Sequence, residues 1–212
     1  MSYPDLTRSL DPATLSLVGL TPLLAVCTTL IGGLSMGLVF LAVLCLTGVT
    51  VSCARRFMTA DTNLIYLLLI SAAWVSFIDL LMQACCFAIR EQLGIYLYLL
   101  AMNTTVLFHL EASSLQKRFG ENAPSILKTG LTGVGLLTLT GLLRELASRG
   151  GILTDIHLLS NFEALASLQP AYLYHGGLHL FDTSAGAFIM FGLLLAVLSY
   201  YIPRTGAGTA DS

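Results

Sequence analysis

The sequence contains few charged residues. Asp, Glu, Lys and Arg make up 10% of its 212 residues, whereas about 25% is usual in soluble globular domains. Hydrophobic residues make up 56% of the chain, and its mean hydropathy is +0.82. The net charge of −2, without a basic segment, argues against nucleic acid as a partner, because phosphate binding needs clustered Lys and Arg. The composition therefore predicts an integral membrane protein.

Motifs of the common soluble enzyme classes are also missing. The five cysteines show no C-x-x-C spacing of the kind found in zinc sites. The adjacent Cys85 and Cys86 are poorly placed to form a disulfide with each other. No phosphate-binding loop, dinucleotide fingerprint or nucleophile triad is present in the sequence. Most of the cysteines are therefore expected to be small apolar side chains.

Long uncharged runs predict six membrane spans. Between Asp11 and Arg55 lie 43 uncharged residues, which at about 1.5 Å of helical rise per residue are enough for two crossings. The sequence "GGLSMG", residues 32–37, is expected to form the turn between them. The six predicted spans are approximately residues 15–32, 36–54, 63–89, 92–112, 129–147 and 183–203.

The distribution of Lys and Arg predicts the orientation of these spans, because basic residues concentrate in cytoplasmic loops. A six-span membrane domain, residues 15–203, leaves segments 1–14 and 204–212 on the same side of the membrane. That side carries seven of the ten basic residues: Arg8, Arg55, Arg56, Lys117, Arg118, Lys128 and Arg204. Both termini are therefore expected in the cytoplasm.

The span count predicts an inverted repeat. Three spans precede residue 91 and three follow it, so the two halves would enter the membrane in opposite senses. Folds of this kind often contain broken helices near the membrane midplane. The stretches "LAVCTTL" (24–30) and "LAMNTTV" (100–106) resemble each other, and each lies in the first span of its half. We expect an all-α integral membrane fold of two inverted three-helix repeats, with spans one and four broken.

Polar residues and a proline mark the expected breaks. In "GLTPLLAVCTTL", residues 19–30, Pro22 lacks an N–H donor and clashes with the preceding turn. The threonines of this stretch could bond the backbone groups that the break leaves free, since lipid offers no partner. Asn103 would be the polar centre of "MNTT", residues 102–105. Ordinary helix packing through Thr and Asn is the alternative explanation.

Asp79 is the clearest candidate for an ion site. A carboxylate in the middle of a span is costly, so it usually pairs, takes up a proton or lines an ion path. Asp79 is therefore a candidate cation or proton site, with a neutral hydrogen-bonded carboxylic acid as the alternative. Glu111, near the end of span four, is a second catalytic candidate. It is more simply explained, together with Arg144 and Glu145 of span five, as part of a structural charge cluster.

Several motifs resemble a known family. The stretch "GLTPLLAV" resembles the first-span motif of the E-type integral subunit of Rnf electron-transport complexes and of the D-type subunit of the Na⁺-translocating NADH:quinone reductase. Further landmarks occur in the same order as in that family: "MNTTVLFHLEA", "PSILKTGLTGVG", "GLLRELASRGGIL" and "GAFIMFGLLLA". The resemblance covers about residues 15–203.

The resemblance implies a multi-pass subunit of an ion-translocating oxidoreductase in the bacterial inner membrane. Such a complex couples electron transfer between NADH- or ferredoxin-type carriers to movement of Na⁺ or H⁺. The implied partners are a homologous membrane protein of opposite topology, similar to the A-type Rnf subunit, and Rnf subunits that carry flavin and iron–sulfur centres. The homologous pair would share a [2Fe–2S] cluster. A non-redox scaffold of the same complex and a stand-alone inverted-repeat secondary transporter are the alternatives.

The chain departs from the family at the positions of the expected cluster ligands. The family's two cluster cysteines fall on Thr21 and Thr104, and a neutral hydroxyl is a poor substitute for a soft thiolate. Cys27 lies about 9 Å further along a regular helix than Thr21, so it could substitute only in a reshaped break. Asp79 matches an acidic position of the Na⁺-pump relative, whereas Lys128 stands where the family tends to carry Asp. The chain is thus predicted to be a divergent member without the two cluster cysteines.

Overall fold

In a computed structural model, the described residues are 19–54, 63–107, 110, 119–149, 151–152, 171–172 and 183–201, and most of them are helical. The helices are α1 (Thr21–Leu24), α2 (Leu30–Ala54), α3 (Asn63–Cys85), α4 (Phe87–Leu93), α5 (Tyr96–Leu99), α6 (Phe119–Arg149) and α7 (Ser184–Tyr201), with a 3₁₀ turn, Leu100–Met102, directly after α5. Strands β1 (Gly151–Ile152) and β2 (Ala171–Tyr172) form one short antiparallel pair.

Among the described helices, three are long and apolar enough to cross a membrane: Leu30–Ala54, Asn63–Cys85 and the part of α6 from Ala123 to Arg149. A helix of 25 residues, such as α2, rises about 37 Å and exceeds the roughly 30 Å hydrocarbon core of a bilayer. On α3, the apolar side chains of Ile65, Leu69 and Leu80 are each more than 60% exposed, as suits contact with lipid. The chain is therefore an α-helical multi-pass membrane protein, while six spans in an inverted repeat stay a prediction.

The turn predicted at "GGLSMG" is wrong. Residues 32–37 lie inside α2, which continues without interruption from Leu30 to Ala54. The non-helical residues lie earlier, between Leu24 and Leu30. Glycine is a weak turn signal in a membrane helix, because lipid cannot satisfy the backbone groups that a turn would free. Small residues there more often allow close helix packing.

Glycines bring α2 and α6 together, and this pair forms the centre of the fold. A Cβ atom on Gly33 would collide with the backbone of Leu137, and one on Gly141 would collide with the carbonyl group of Thr29. Gly135, by contrast, has open space around it. Backbone therefore packs directly against backbone along this interface. As a result, the last turns of α6 lie against the start of α2 and the non-helical residues before it.

One buried apolar cluster connects all seven helices. Its members fill the space between α2, α3 and α6 and also extend to the short helices α1, α4 and α5. Fully or almost fully buried members, one from each helix in chain order, are Leu23, Phe40, Leu67, Leu93, Leu97, Leu137 and Phe191. The short helices are thereby fixed against the long ones, which holds the interrupted segments in place.

Candidate functional site

Two interruptions of the described helical backbone lie in the stretches for which the sequence predicts breaks. The first interruption follows α1, where residues 25–29 are not helical before α2 begins. The second lies at Asn103, whose extended backbone (φ −67°, ψ 122°) separates the 3₁₀ turn from the helical residues 104–107. The first interruption lies within the predicted stretch 19–29 and the second within 102–105, while broken spans one and four of an inverted repeat stay a prediction.

Asn103 connects the second interruption to Gly19, which lies just before α1. Its Nδ2 atom donates a hydrogen bond to the carbonyl oxygen of Gly19 at 2.9 Å, and its Oδ1 atom accepts one from the backbone N–H of Thr105, also at 2.9 Å. Gly19 permits this approach, because a Cβ atom there would lie only 2.6 Å from the Oγ1 atom of Thr104. We call this contact between residues 19–29 and 102–105 the junction. The predicted polar centre thus binds backbone groups on both sides of it.

Thr21 and Thr104, onto which the resemblance places the family's cluster cysteines, lie towards the surface of the junction. The side chain of Thr104 is exposed, that of Thr21 is half-buried, and the adjacent Pro22 is exposed. We call these three residues the rim of the junction. In a membrane, exposed hydroxyl groups and irregular backbone are stable only where protein or water covers them.

Cys27 does not reach this rim. Its side chain is fully buried, and its Sγ atom donates a hydrogen bond to the carbonyl oxygen of Leu23 at 3.3 Å. The rim itself presents hydroxyl groups, which are poor iron ligands beside thiolates. Within the part of the chain that the structure describes, no group of three or more His, Cys, Asp or Glu side chains could hold a metal ion. The described residues at the rim therefore do not fit a [2Fe–2S] cluster ligated from Thr21, Thr104 or Cys27.

Arg144 binds the carbonyl end of the first interruption. Its side chain is fully buried, and its Nη1 atom lies 3.0 Å from the carbonyl oxygens of both Leu24 and Cys27 and 3.4 Å from that of Ala25. Its Nη2 atom donates to the carbonyl oxygen of Thr183 at 3.1 Å, just before α7. The last carbonyl groups of a helix have no partner within the helix. A guanidinium with five N–H donors can satisfy several of them at once.

Glu145 binds the amide end of the same interruption. Its Oε2 atom accepts a hydrogen bond from the backbone N–H of Leu30, the first residue of α2, at 2.9 Å. The Oγ1 atom of Thr29 accepts one from the N–H of Gly32 at 3.2 Å, which makes Thr29 the N-cap of α2. A negative charge at a helix N-terminus is favourable. Two consecutive residues of α6 therefore satisfy both ends of the interruption, in agreement with the predicted structural role.

Asp79 forms an ion pair with Arg90. Its Oδ1 atom lies 2.8 Å from the Nε atom of Arg90, and its Oδ2 atom lies 3.3 Å from Nη2. Tyr98 donates its hydroxyl to Oδ2 at 2.9 Å, and Gln83 lies 3.4 Å from the same oxygen. The hydrogen bonds that Arg90 donates to Asp79 and Tyr98 raise the pKa of its guanidinium above the ordinary value. This network connects α3 to α5, just before the second interruption.

Some of these residues are not evident from the sequence. Tyr98 lies in no motif, and Gly19, although it begins the stretch "GLTPLLAV", gives no sign of its contact with Asn103, 84 positions later. Arg90 gives a signal, since a lone carboxylate in a span calls for a cation and Arg90 is the nearest one along the chain. Glu111 lies outside the described residues.

Comparison with known proteins agrees with the resemblance of the motifs. A family model described as "Rnf-Nqr subunit, membrane protein" matches residues 9–195. A protein of Haemophilus ducreyi is 33% identical over 189 residues, which cover 89% of this chain and 83% of the relative. One of Pseudomonas aeruginosa is 34% identical over 188 residues, covering 88% and 79%. Both relatives are named as the E subunit of an ion-translocating oxidoreductase complex.

Proposed function

Because this chain belongs to the Rnf-Nqr family of membrane subunits, we propose that it is one membrane subunit of an Rnf-type ion-translocating oxidoreductase complex. The complex would couple electron transfer between NADH- or ferredoxin-type carriers to movement of Na⁺ or H⁺. We place the chain in the bacterial inner membrane with both termini in the cytoplasm, as the excess of basic residues on that side favours. The names of the relatives and the apolar helices support this proposal.

The observation that carries the proposal is the polar junction between two interrupted helices. Asn103 and Gly19 hold the two segments together, and the rim exposes the hydroxyl of Thr104. Such a surface is unstable against lipid, and we infer that a protein partner rather than water covers it. We propose that this partner is a homologous membrane protein of opposite topology, similar to the A-type Rnf subunit, which would contribute its own pair of interrupted helices. Further subunits with flavin and iron–sulfur centres would complete the complex.

Within the complex, we propose that this chain acts as a non-redox scaffold. Thr21 and Thr104 offer hydroxyls where a cluster needs thiolates, and the thiol of Cys27 is buried away from the rim. No electron-transfer step is therefore assigned to this chain. Its role would be to hold the polar surface that the partner subunit binds.

The proposal predicts that a tagged form of this chain co-purifies from native membranes with flavin- and iron–sulfur-containing subunits. The reconstituted complex should move Na⁺ or H⁺ when supplied with an electron donor and acceptor. The chain alone, reconstituted in liposomes, should move neither ion nor organic substrate. Substrate flux by the chain alone would instead identify a secondary transporter.

The scaffold role is tested in the same complex with Thr21→Ala and Thr104→Ala. Both variants should keep the iron content, the iron–sulfur EPR signals and the rate of ion transport. Thr104→Ser, which keeps the hydroxyl, is the control for changes in packing at the rim. Loss of an EPR signal in either alanine variant, with the serine variant intact, would assign a ligand role to this chain and refute the scaffold.

We propose Asp79 as the cation or proton site of this chain, with Arg90 as the counter-charge that an arriving ion displaces. Asp79→Asn should then slow ion transport about tenfold, the effect of removing one charge-assisted interaction. The control is Glu91→Gln, which neutralises an exposed carboxylate nearby. If the ion pair is only structural, the double variant Asp79→Asn with Arg90→Gln should regain the normal rate, because neither charge is left unpaired. Recovery in the double variant would therefore refute the ion site.

A further inference from the structure

We propose that Arg144 is a tethered cation that fills a cage of backbone carbonyl groups in the first interruption, where a free cation would otherwise bind. This inference concerns the geometry of the chain itself and does not depend on the proposed function. It goes beyond helix capping, because it predicts that the vacated cage accepts a cation from solution.

The cage consists of carbonyl groups from two parts of the chain. Leu24, Ala25 and Cys27 contribute theirs from the interruption, and Thr183 contributes one from the start of α7. All four oxygens lie between 3.0 and 3.4 Å from the guanidinium nitrogens. Unwound carbonyl groups of broken membrane helices are the ligands that transporters and channels offer to cations in place of water. The donor set is therefore that of a cation site, and the side chain of Arg144 occupies it.

The neighbouring residue provides the matching negative charge. Glu145 binds the N–H of Leu30 at the positive end of α2, while Arg144 binds the carbonyl groups at the negative end of α1. Both side chains are fully buried. A buried charge is strongly destabilising unless it is paired and hydrogen-bonded, so the two together reduce the cost of burial. The chain thus provides the cation and the anion that an interrupted helix would otherwise take from bound ions.

It follows that no free ion can bind in the first interruption while Arg144 is in place. Removing the guanidinium should leave carbonyl groups that repel one another, although those of Leu24 and Thr183 keep the backbone N–H groups of Cys27 and Ala187 as donors. The interruption would then open to water unless another cation entered the cage. This makes water access to the interruption a direct measure of cage occupancy.

Cys27 is a natural reporter of that access, because its carbonyl group belongs to the cage and its thiol is buried. A buried thiol in apolar surroundings reacts slowly with a small maleimide. The experiment uses the full chain in native membranes, with every cysteine except Cys27 replaced by Ala. A second background that keeps only the exposed Cys53 is the control for reagent access.

We expect Arg144→Ala to accelerate labelling of Cys27 at least about tenfold, since hydrogen bonds to a charged group of this kind contribute that factor to an opening equilibrium. Labelling of Cys53 should not change.

Guanidinium chloride should slow the labelling of Cys27 in Arg144→Ala at least about threefold at twice its dissociation constant. Tetramethylammonium chloride, a cation without N–H donors, should have no such effect. The proposal is overturned if Arg144→Ala does not change the rate of Cys27 labelling. It is also overturned if guanidinium chloride slows this labelling no more than tetramethylammonium chloride does.

Arg144→Lys keeps the test decisive if Arg144→Ala does not accumulate in the membrane. Lysine keeps a cation with three donors in the cage. Its rate of Cys27 labelling should stay within about tenfold of the parent, since only part of the hydrogen bonding is lost. A larger acceleration in Arg144→Lys overturns the proposal.

Discussion

Replacing Glu145 with Ala is expected to cause a large loss of stability. The change removes the acceptor of the Leu30 N–H group and leaves the buried guanidinium of Arg144 without its neighbouring negative charge. Removing one partner of a buried ionic arrangement costs about 3–5 kcal/mol. Many proteins are stable by only about 5–15 kcal/mol, so this loss is a large fraction of the total.

Glu145→Gln separates the contribution of the charge from that of the hydrogen bond. Its amide oxygen can still accept from the N–H of Leu30, so this variant should lose about 1–2 kcal/mol, clearly less than the alanine variant. Glu91→Ala removes an exposed carboxylate and is the control, with no change expected. The unfolding temperatures of all three variants are measured on the detergent-solubilised chain, with size-exclusion chromatography as the readout of unfolding. If Glu145→Ala unfolds at the temperature of the parent, the role given to Glu145 is refuted.

Asn103→Leu is expected to separate the two interrupted segments. Leucine has a similar size but cannot bond the carbonyl group of Gly19 or the N–H group of Thr105, so the variant loses both of these hydrogen bonds. Two buried hydrogen bonds contribute about 1–3 kcal/mol together. The variant should therefore be less stable and should also recover less of the partner subunits in a pull-down, because the rim is no longer fixed.

The matched control is Thr104→Val at the adjacent position. Thr104 is exposed, so its isosteric replacement should change the stability of the isolated chain by less than about 0.5 kcal/mol. Asn103→Asp gives an intermediate case, since it keeps the acceptor for Thr105 but loses the donor to Gly19. Equal stability of Asn103→Leu and Thr104→Val would show that Asn103 does not hold the junction together.

The sequence is informative about the interruptions because their causes are local. Asn103 offers side-chain groups that compete with helical bonding, whereas Pro22 lies in the first turn of α1, where its missing N–H suits the start of a helix. Both effects act within a few residues, so they appear in a short stretch of sequence. The same reasoning fails for "GGLSMG", because whether Gly33 permits a turn or a close contact depends on Leu137, which is distant in the chain.

The partners at the site are also decided by the tertiary fold. Arg144 and Glu145 bind residues more than 110 positions earlier in the chain, and no local pattern encodes that contact. The sequence does indicate that such charges near a span need partners, and it predicts a structural cluster on that basis. For Asp79 the sequence leaves pairing, protonation and an ion path open. The chosen partner, Arg90, becomes available because α3 ends at Cys85 and the chain continues into the separate helix α4.

The adjacency of Arg144 and Glu145 has a mechanical consequence. One peptide unit separates the residue that holds the end of α1 from the residue that holds the start of α2, and both belong to the same continuous helix. A displacement of α6 along its axis would therefore move the end of α1 and the start of α2 together. The distance between Leu24 and Leu30 would stay the same during this movement, and it could change only if α6 bent or unwound at Arg144 and Glu145.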